Sequence, residues 1–261
     1  MLTSTHNARI RRIRSLISSA SERRQENAFV IEGVRLVEEA LAANWEFEWL
    51  LFTEDVSERG MRLVEQATHK GINVDRTTAH VLQSISDTQS PQGLLAVLSM
   101  RSLPLPPSLD FILAADGVRD PGNLGTILRS AKAAGAQAVL LTPGSVDPFA
   151  PKVLRAAMGA HFRLPIRITG RDELLAFCRS GNIRVFLADA MGGVCFWNAD
   201  FKQSLAIVIG GEAEGIDQQA YTVNAQTVFI PMAEKAESLN AAVAAALLCY
   251  EVVRQRYSEA L

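Results

Sequence analysis

The sequence predicts an α/β protein in two parts, with a mostly parallel sheet in the second part and a smaller α/β unit before it. The first observation is a run of short apolar segments beyond residue 110: FILAAD, AVLLTP, IRVFLADA, LAIVIGG and TVFIPM. Continuous apolar runs of this length are what strands buried on both faces of a parallel sheet show. The second is that helical stretches separate them, and strands alternating with helices are covered by helices on both faces. The third is the segment RSLPLPPSLD, residues 101–110, whose three closely spaced prolines exclude a helix or a central strand and predict an extended connector. With 261 residues there is room for two domains of ordinary size. The boundaries are placed at 1–100, a linker at 101–109, and 110–261.

Along the first part, a basic helix is expected over about residues 7–18. A strand AFVIEG, a helix VRLVEEALA, a strand EWLLFT, a helix ERGMRLVEQATHK and a strand around INVDR follow. A short helix near 78–85 and the apolar strand LLAVLSM close the unit. Beyond the linker the expected helices are NLGTILRSAKAAGA, APKVLRAAMGA, RDELLAFCRSG and ESLNAAVAAALLCYEVVRQR. In open parallel sheets ligands bind at the carboxyl ends of the strands, so the second part should carry any cofactor.

Composition narrows the functional classes. Hydrophobic residues make up 48% and charged residues 21%, the balance of a folded globular chain. No apolar run is long enough to span a membrane; LNAAVAAALLC is too short and too rich in alanine. The first residues carry arginines without an apolar core or a cleavage site, so secretion is not expected. Cys178, Cys195 and Cys249 are widely separated in apolar surroundings and read as reduced residues of a cytoplasmic protein. The net charge of −2 argues against coating nucleic acid through bulk charge. Residues 1–24 nevertheless hold six arginines and a single acid, Glu22, so Arg9, Arg11, Arg12 and Arg14 form a candidate phosphate-contacting patch. The competing reading is a solvated helix face.

The usual catalytic signatures are missing. There is no GxxxxGK[ST], no early GxGxxG, no HExxH or paired-cysteine metal motif, and no GxSxG elbow. A metal site is not expected. Three segments stand out instead, each a strand followed by a polar, glycine-bearing loop. In DGVRDPGNLGTILRSA, Asn123 sits near a helix start and Arg129 nearly two turns along it, interrupting a face of small and apolar residues. Asn123 could equally be a helix cap, and Arg129 a surface or salt-bridged arginine. LAIVIGGEAEGI brings Gly210, Gly211 and Gly215 beside Glu212 and Glu214. In FIPMAEKAESLNAAVAAALLCYE, Ser238 is a candidate cap with Asn240 in the first turn, both able to hydrogen-bond a polar substrate group.

Together, in this order, the three segments resemble the signature motifs of the SpoU/TrmH-type RNA ribose 2′-O-methyltransferases, of the SPOUT class. The segment SVDPFAPKVLRAAMGAHFRLPI resembles the stretch between the first two motifs. ERRQENAFVIEGVRLVEEAL and SPQGLLAVL resemble the substrate-binding domain that often precedes them. The resemblance implies a trefoil-knotted SPOUT domain that binds S-adenosyl-L-methionine, with Gly210, Ile230 and Leu239 at the cofactor positions. It implies that Asn123, Arg129, Glu212, Ser238 and Asn240 are the active-site residues, that the protein is a homodimer, and that the first part is a ribosomal-protein-like RNA-binding domain. Ribosomal RNA is the expected substrate and transfer RNA the alternative. Glu234 and Glu237 depart from the family pattern in the third motif. They are the one feature favouring a second class, an RNA-binding protein that kept the fold and lost catalysis. A nucleotide-dependent enzyme of the Rossmann type is disfavoured by the missing glycine fingerprint.

Overall fold

Two separate sheets, of four and seven strands, organise the chain. The structure is a computed structural model and describes residues 1–190, 192–211, 216, 221, 225–233 and 238–257. In the first unit α1 (Ala8–Ser18) starts at Asn7, whose side chain accepts from the Arg9 amide. It stops at Ser19, which caps a second helix, α2 (Ala20–Glu26). The sequence reading expected no α2, because its surface is almost wholly polar. Then come β1 (Ala28–Glu32), α3 (Val34–Ala42), β2 (Phe47–Phe52), α4 (Glu58–His69), β3 (Val74–Arg76), α5 (Ala79–Gln83) and β4 (Leu94–Ser99). The strand order is β1-β4-β2-β3, with β4 antiparallel to both neighbours and β2 parallel to β3. Ile10, Ile13 and Leu16 recur every three residues along α1 and bury against Val30, Trp49, Leu51, Leu95 and Val97.

The second unit contains β5 (Phe111–Asp116), α6 (Pro121–Ala133), β6 (Ala138–Leu141), β7 (Ile166–Ile168), α8 (Arg171–Ser180) and β8 (Arg184–Ala188). It continues with β9 (Val194–Cys195), β10 (Leu205–Gly210), β11 (Ala225–Phe229) and α9 (Ala241–Tyr257). Its seven strands, in the order β7-β6-β5-β10-β8-β11-β9, are all parallel. The strands β5 to β7 run outward on one side, whereas β10 enters between β5 and β8. The order therefore reverses at β5, β10 and β8, where a ligand crevice is expected. Cys178 and Cys249 are buried, and burial raises their thiols to about 11 and about 12, so both stay protonated packing residues.

The proline segment 101–110 contains no helix or strand. It is not loose: Arg167 Nη2 donates to the Leu103 carbonyl, and Leu109 packs on the core of the second unit. The division of the chain differs from a single cut there. The first unit comprises Met1–Arg101 together with Asp147–Phe162, and the second comprises Ser102–Val146 with Arg163–Leu261. The returning segment carries α7 (Pro151–Ala157), placed by its sequence in the second part. The physical reason is local. Arg23, only 4% exposed, donates Nε and Nη2 to Asp147 at 2.8 and 2.6 Å and Nη1 to the Leu16 and Ile17 carbonyls. Phe149 packs on Phe29 and Phe162 on Trp45, with ring centroids 4.9 and 5.3 Å apart.

Candidate functional site

The carboxyl ends of the central strands of the second unit enclose a cavity of about 570 Å³. Ile209, Val228 and Leu248 give it apolar walls, while Asp189, Ser238 and Asn240 bring polar side chains to it. Gly210, Ile230 and Leu239, the three predicted cofactor positions, all line it.

Close backbone approach builds one edge. Gly210 pairs in register with Asp116, and the Gly211 amide donates to the Asp116 carbonyl at 2.8 Å. A Cβ on Gly211 would stand 2.3 Å from the Gly117 carbonyl oxygen, so only glycine lets the first- and second-motif loops meet. Beneath them Asp116 is fully buried and accepts three side-chain donors. These are Thr142 Oγ1 at 2.5 Å, Arg171 Nε at 3.1 Å and Tyr221 Oη at 3.0 Å. Burial and the neighbouring Asp116 charge push the Tyr221 hydroxyl well above its ordinary range, so it stays protonated and donates.

Asn123 and Asn240 come from segments 117 residues apart and meet in a direct hydrogen bond, Asn240 Nδ2 to Asn123 Oδ1 at 2.9 Å. The two cap candidates read from the sequence, Asn123 and Ser238, are not the caps. The cap of α6 is Asp120, which accepts from the Asn123 amide at 2.8 Å, and Pro121 takes the first helical position. Asn123 is therefore inside the first turn. The cap of α9 is Asn240, not Ser238: Asn240 Oδ1 accepts from the Ala242 and Val243 amides at 2.9 and 3.3 Å. With its oxygen engaged by the helix, Asn240 has its amide nitrogen oriented toward Asn123 and the cavity. Ser238 is exposed on the cavity wall.

Arg129 does not interrupt an apolar face. Leu124, Gly125, Ile127, Leu128 and Ala131 are the buried positions of α6, and Arg129 lies on its exposed side. It does not line the cavity and makes no hydrogen bond or ion pair among the described residues. Glu212, Gly215, Glu234 and Glu237 lie outside the described residues. In the basic helix, Arg9 pairs with Asp75 at 2.9 Å, and Arg12 pairs with Glu26 and with Glu48 at 2.8 Å. Arg11 and Arg14 are exposed and without a partner among the described residues. The sequence reading missed Asp189, which follows β8 at the cavity; the rule that strand ends carry the site could have found it. No group of His, Cys, Asp and Glu among the described residues could hold a metal ion.

Comparison with known proteins gives a consistent set of likenesses. The model of the SpoU rRNA methylase family matches residues 110–250, and that of an MRM3-like substrate-binding domain matches residues 7–96. The 23S rRNA (guanosine(2553)-2′-O)-methyltransferase RlmP of Bacillus subtilis is 31% identical, over 90% of this chain and 92% of its own. The human mitochondrial rRNA methyltransferase 3 is 30% identical, over 95% of this chain and 72% of its own. Among solved structures, the SpoU methyltransferase AviRb of Streptomyces viridochromogenes in complex with AdoMet superposes with a TM-score of 0.87. It is 29% identical, over 97% of this chain and all of that one.

Proposed function

Because this chain belongs to the SpoU rRNA methylase family, we propose that it is an S-adenosylmethionine-dependent methyltransferase acting on a ribose 2′-oxygen of ribosomal RNA. The observation that carries the reading is the Asn240–Asn123 bond at the cavity edge. It joins the first and third motifs where Gly210, Ile230 and Leu239 line the space for a cofactor. The residues present fit that cofactor: apolar walls suit an adenine ring, and glycine backbone at the rim permits close approach.

When bound, S-adenosylmethionine supplies a methyl group activated by a sulfonium. The chain's part is to hold the ribose hydroxyl in line with that carbon and to stabilise the charge that develops on oxygen. Ser238 and the Asn123–Asn240 pair orient the hydroxyl. Arg129 clamps phosphate and ribose oxygens through its planar guanidinium, which offers donors only and no acceptor. Glu212 is the second-motif acid of this active site. In this reading the protein is a homodimer in the cytoplasm. Support comes from Val243, Leu247 and Tyr250, which leave an exposed apolar stripe on α9, and from Arg129, which stands outside its own chain's cavity and would serve the partner's. The entry of β10 between β5 and β8 agrees with the trefoil knot of the family. The first unit, with its returning segment, binds the RNA.

Incubating the protein with radiolabelled S-adenosylmethionine and ribosomal RNA from cells lacking the gene tests the proposal. Label should survive alkaline hydrolysis in a dinucleotide, because a methylated 2′-oxygen cannot attack the adjacent phosphate. Label confined to bases, or no transfer, refutes it.

A further inference from the structure

The first unit contains a second concavity, of about 140 Å³, lined by Arg9, Arg12, Glu48, Trp49 and Asn73. We propose that it is a pocket for one unpaired guanine base of the RNA substrate, an inference that rests on the RNA-methyltransferase reading above.

Glu48 is where the sheet breaks register. On β2, Phe47 pairs with Leu98 and Trp49 with Val97, leaving Glu48 as an extra residue without a partner on β4. Bulges of this kind re-aim side chains and concentrate beside functional sites. Here the bulge directs the Glu48 carboxylate onto Arg12, which donates to Oε2 at 2.8 Å, and leaves Oε1 without a donor among the described residues. Nearby, the Arg9 guanidinium lies 5.4 Å from the centroid of the Trp49 ring, and both are fixed by Asp75, at 2.9 and 3.0 Å. The Asn73 side chain at the rim is exposed and makes no hydrogen bond among the described residues.

Charge decides between a phosphate and a base. Arg9 and Arg12 are already neutralised by Asp75, Glu48 and Glu26, so the pocket has no surplus positive charge to attract an anion. It suits a neutral ligand with a patterned edge. Arg12 brings donors to the pocket, and Glu48 Oε1 and the Asn73 side chain bring acceptors; the Watson–Crick edge of guanine sets an acceptor, O6, beside two donors, N1–H and N2–H. Adenine and uracil cannot reproduce that order. The Arg9 guanidinium plane offers a stacking surface, as unpaired bases of RNA commonly use. Arg11 and Arg14, exposed three residues apart on the same helix, are left for the phosphates on either side.

The test measures fluorescence anisotropy of the full chain with labelled RNA heptamers: all-uridine, and uridine with a single central guanosine or adenosine. The guanosine heptamer should bind roughly tenfold tighter than the other two, the scale of one well-formed base-edge pair. Glu48→Gln should bring the three heptamers to within about twofold of one another. Asn73→Ala, at an exposed position the fold does not need, should weaken only the guanosine heptamer, by about threefold. Equal wild-type affinities, a guanosine preference that survives Glu48→Gln, or no binding of any heptamer each overturns the pocket. Calorimetry with S-adenosylmethionine on the same protein separates the two readings, since refuting the base pocket leaves the cofactor affinity of the wild type where it was, whereas absent cofactor binding refutes the methyltransferase reading.

Discussion

Gly211→Ala is expected to damage cofactor binding out of proportion to the size of a methyl group. In the folded chain the new Cβ would lie 2.3 Å from the Gly117 oxygen and 3.0 Å from its carbonyl carbon, both backbone atoms that cannot rotate away. Ordinary carbon–oxygen contacts are about 3.3–3.6 Å, so the two loops must separate by roughly 1 Å. Both are anchored at this point, by the register of Gly210 with Asp116 and by the Gly211 amide on the Asp116 carbonyl. Overpacking against such a constraint costs about 1–3 kcal/mol. If that strain is relieved by opening the cavity rim, affinity for S-adenosylmethionine falls by about 5- to 150-fold. Calorimetry on the full chain measures it, with Gly170→Ala as the control, since nothing lies within 4 Å of a Cβ there. Affinity in Gly211→Ala within twofold of the wild type would refute the close-approach argument.

Arg129→Ala should leave cofactor affinity unchanged and lower methyl transfer by roughly 100-fold, about 2.7 kcal/mol of transition-state stabilisation, with Arg129→Lys restoring little. Full activity in Arg129→Ala removes it from the mechanism. Replacing Arg11 and Arg14 by glutamine should weaken RNA binding and lower its salt slope by about two, whereas an unaltered slope makes them a solvated face. His161 is buried beside Phe149 with Nε2 2.7 Å from the Pro148 carbonyl, so the neutral ring carries its proton on Nε2. Burial holds it down to about 4. Between that value and the ordinary 6.5 only the unfolded chain takes up the proton. The contribution is therefore full above pH 6.5 and lost as pH falls toward 4, roughly 3 kcal/mol in all. Urea unfolding between pH 7.5 and 4.5 should show a steeper loss in the wild type than in His161→Phe; equal slopes would disprove it.

Long apolar runs made much of this fold legible. The helix VRLVEEALA coincides with α3 because it follows Gly33 and buries residues at helical spacing, and FILAAD coincides with β5 because it is a short continuous apolar run that ends before Gly117. The strands β7 and β9 were missed: they have three and two residues at the sheet edges and are at most half-buried, too little for a pattern. Asn123 and Asn240, expected near each other, do meet in a hydrogen bond, but their roles in the helices are exchanged with those of their neighbours. Asp120 followed by Pro121 was the readable cap signal for α6. Arg129 was misplaced because its neighbours in sequence are apolar, although its angular position on α6 points outward. The Asp116 cluster was beyond reach. Thr142, Arg171 and Tyr221 lie 26, 55 and 105 residues away, and no local pattern announces that three loops will converge on one buried carboxylate.

The return of Asp147–Phe162 to the first unit has a consequence for the order in which the protein comes off the ribosome. Residues 1–101 are complete long before Asp147 is made, and at about 5–20 residues per second the interval is roughly 2–10 s. Throughout it Arg23 has no carboxylate to meet, and Phe29 and Trp45 have neither Phe149 nor Phe162 to cover them. The nascent first unit is thus a half-finished surface whose completion waits on the start of the second. A gene split at the prolines would strand its missing piece on the wrong polypeptide. Transplanting this unit onto another enzyme would require carrying two separate stretches of chain, with the distance between them preserved.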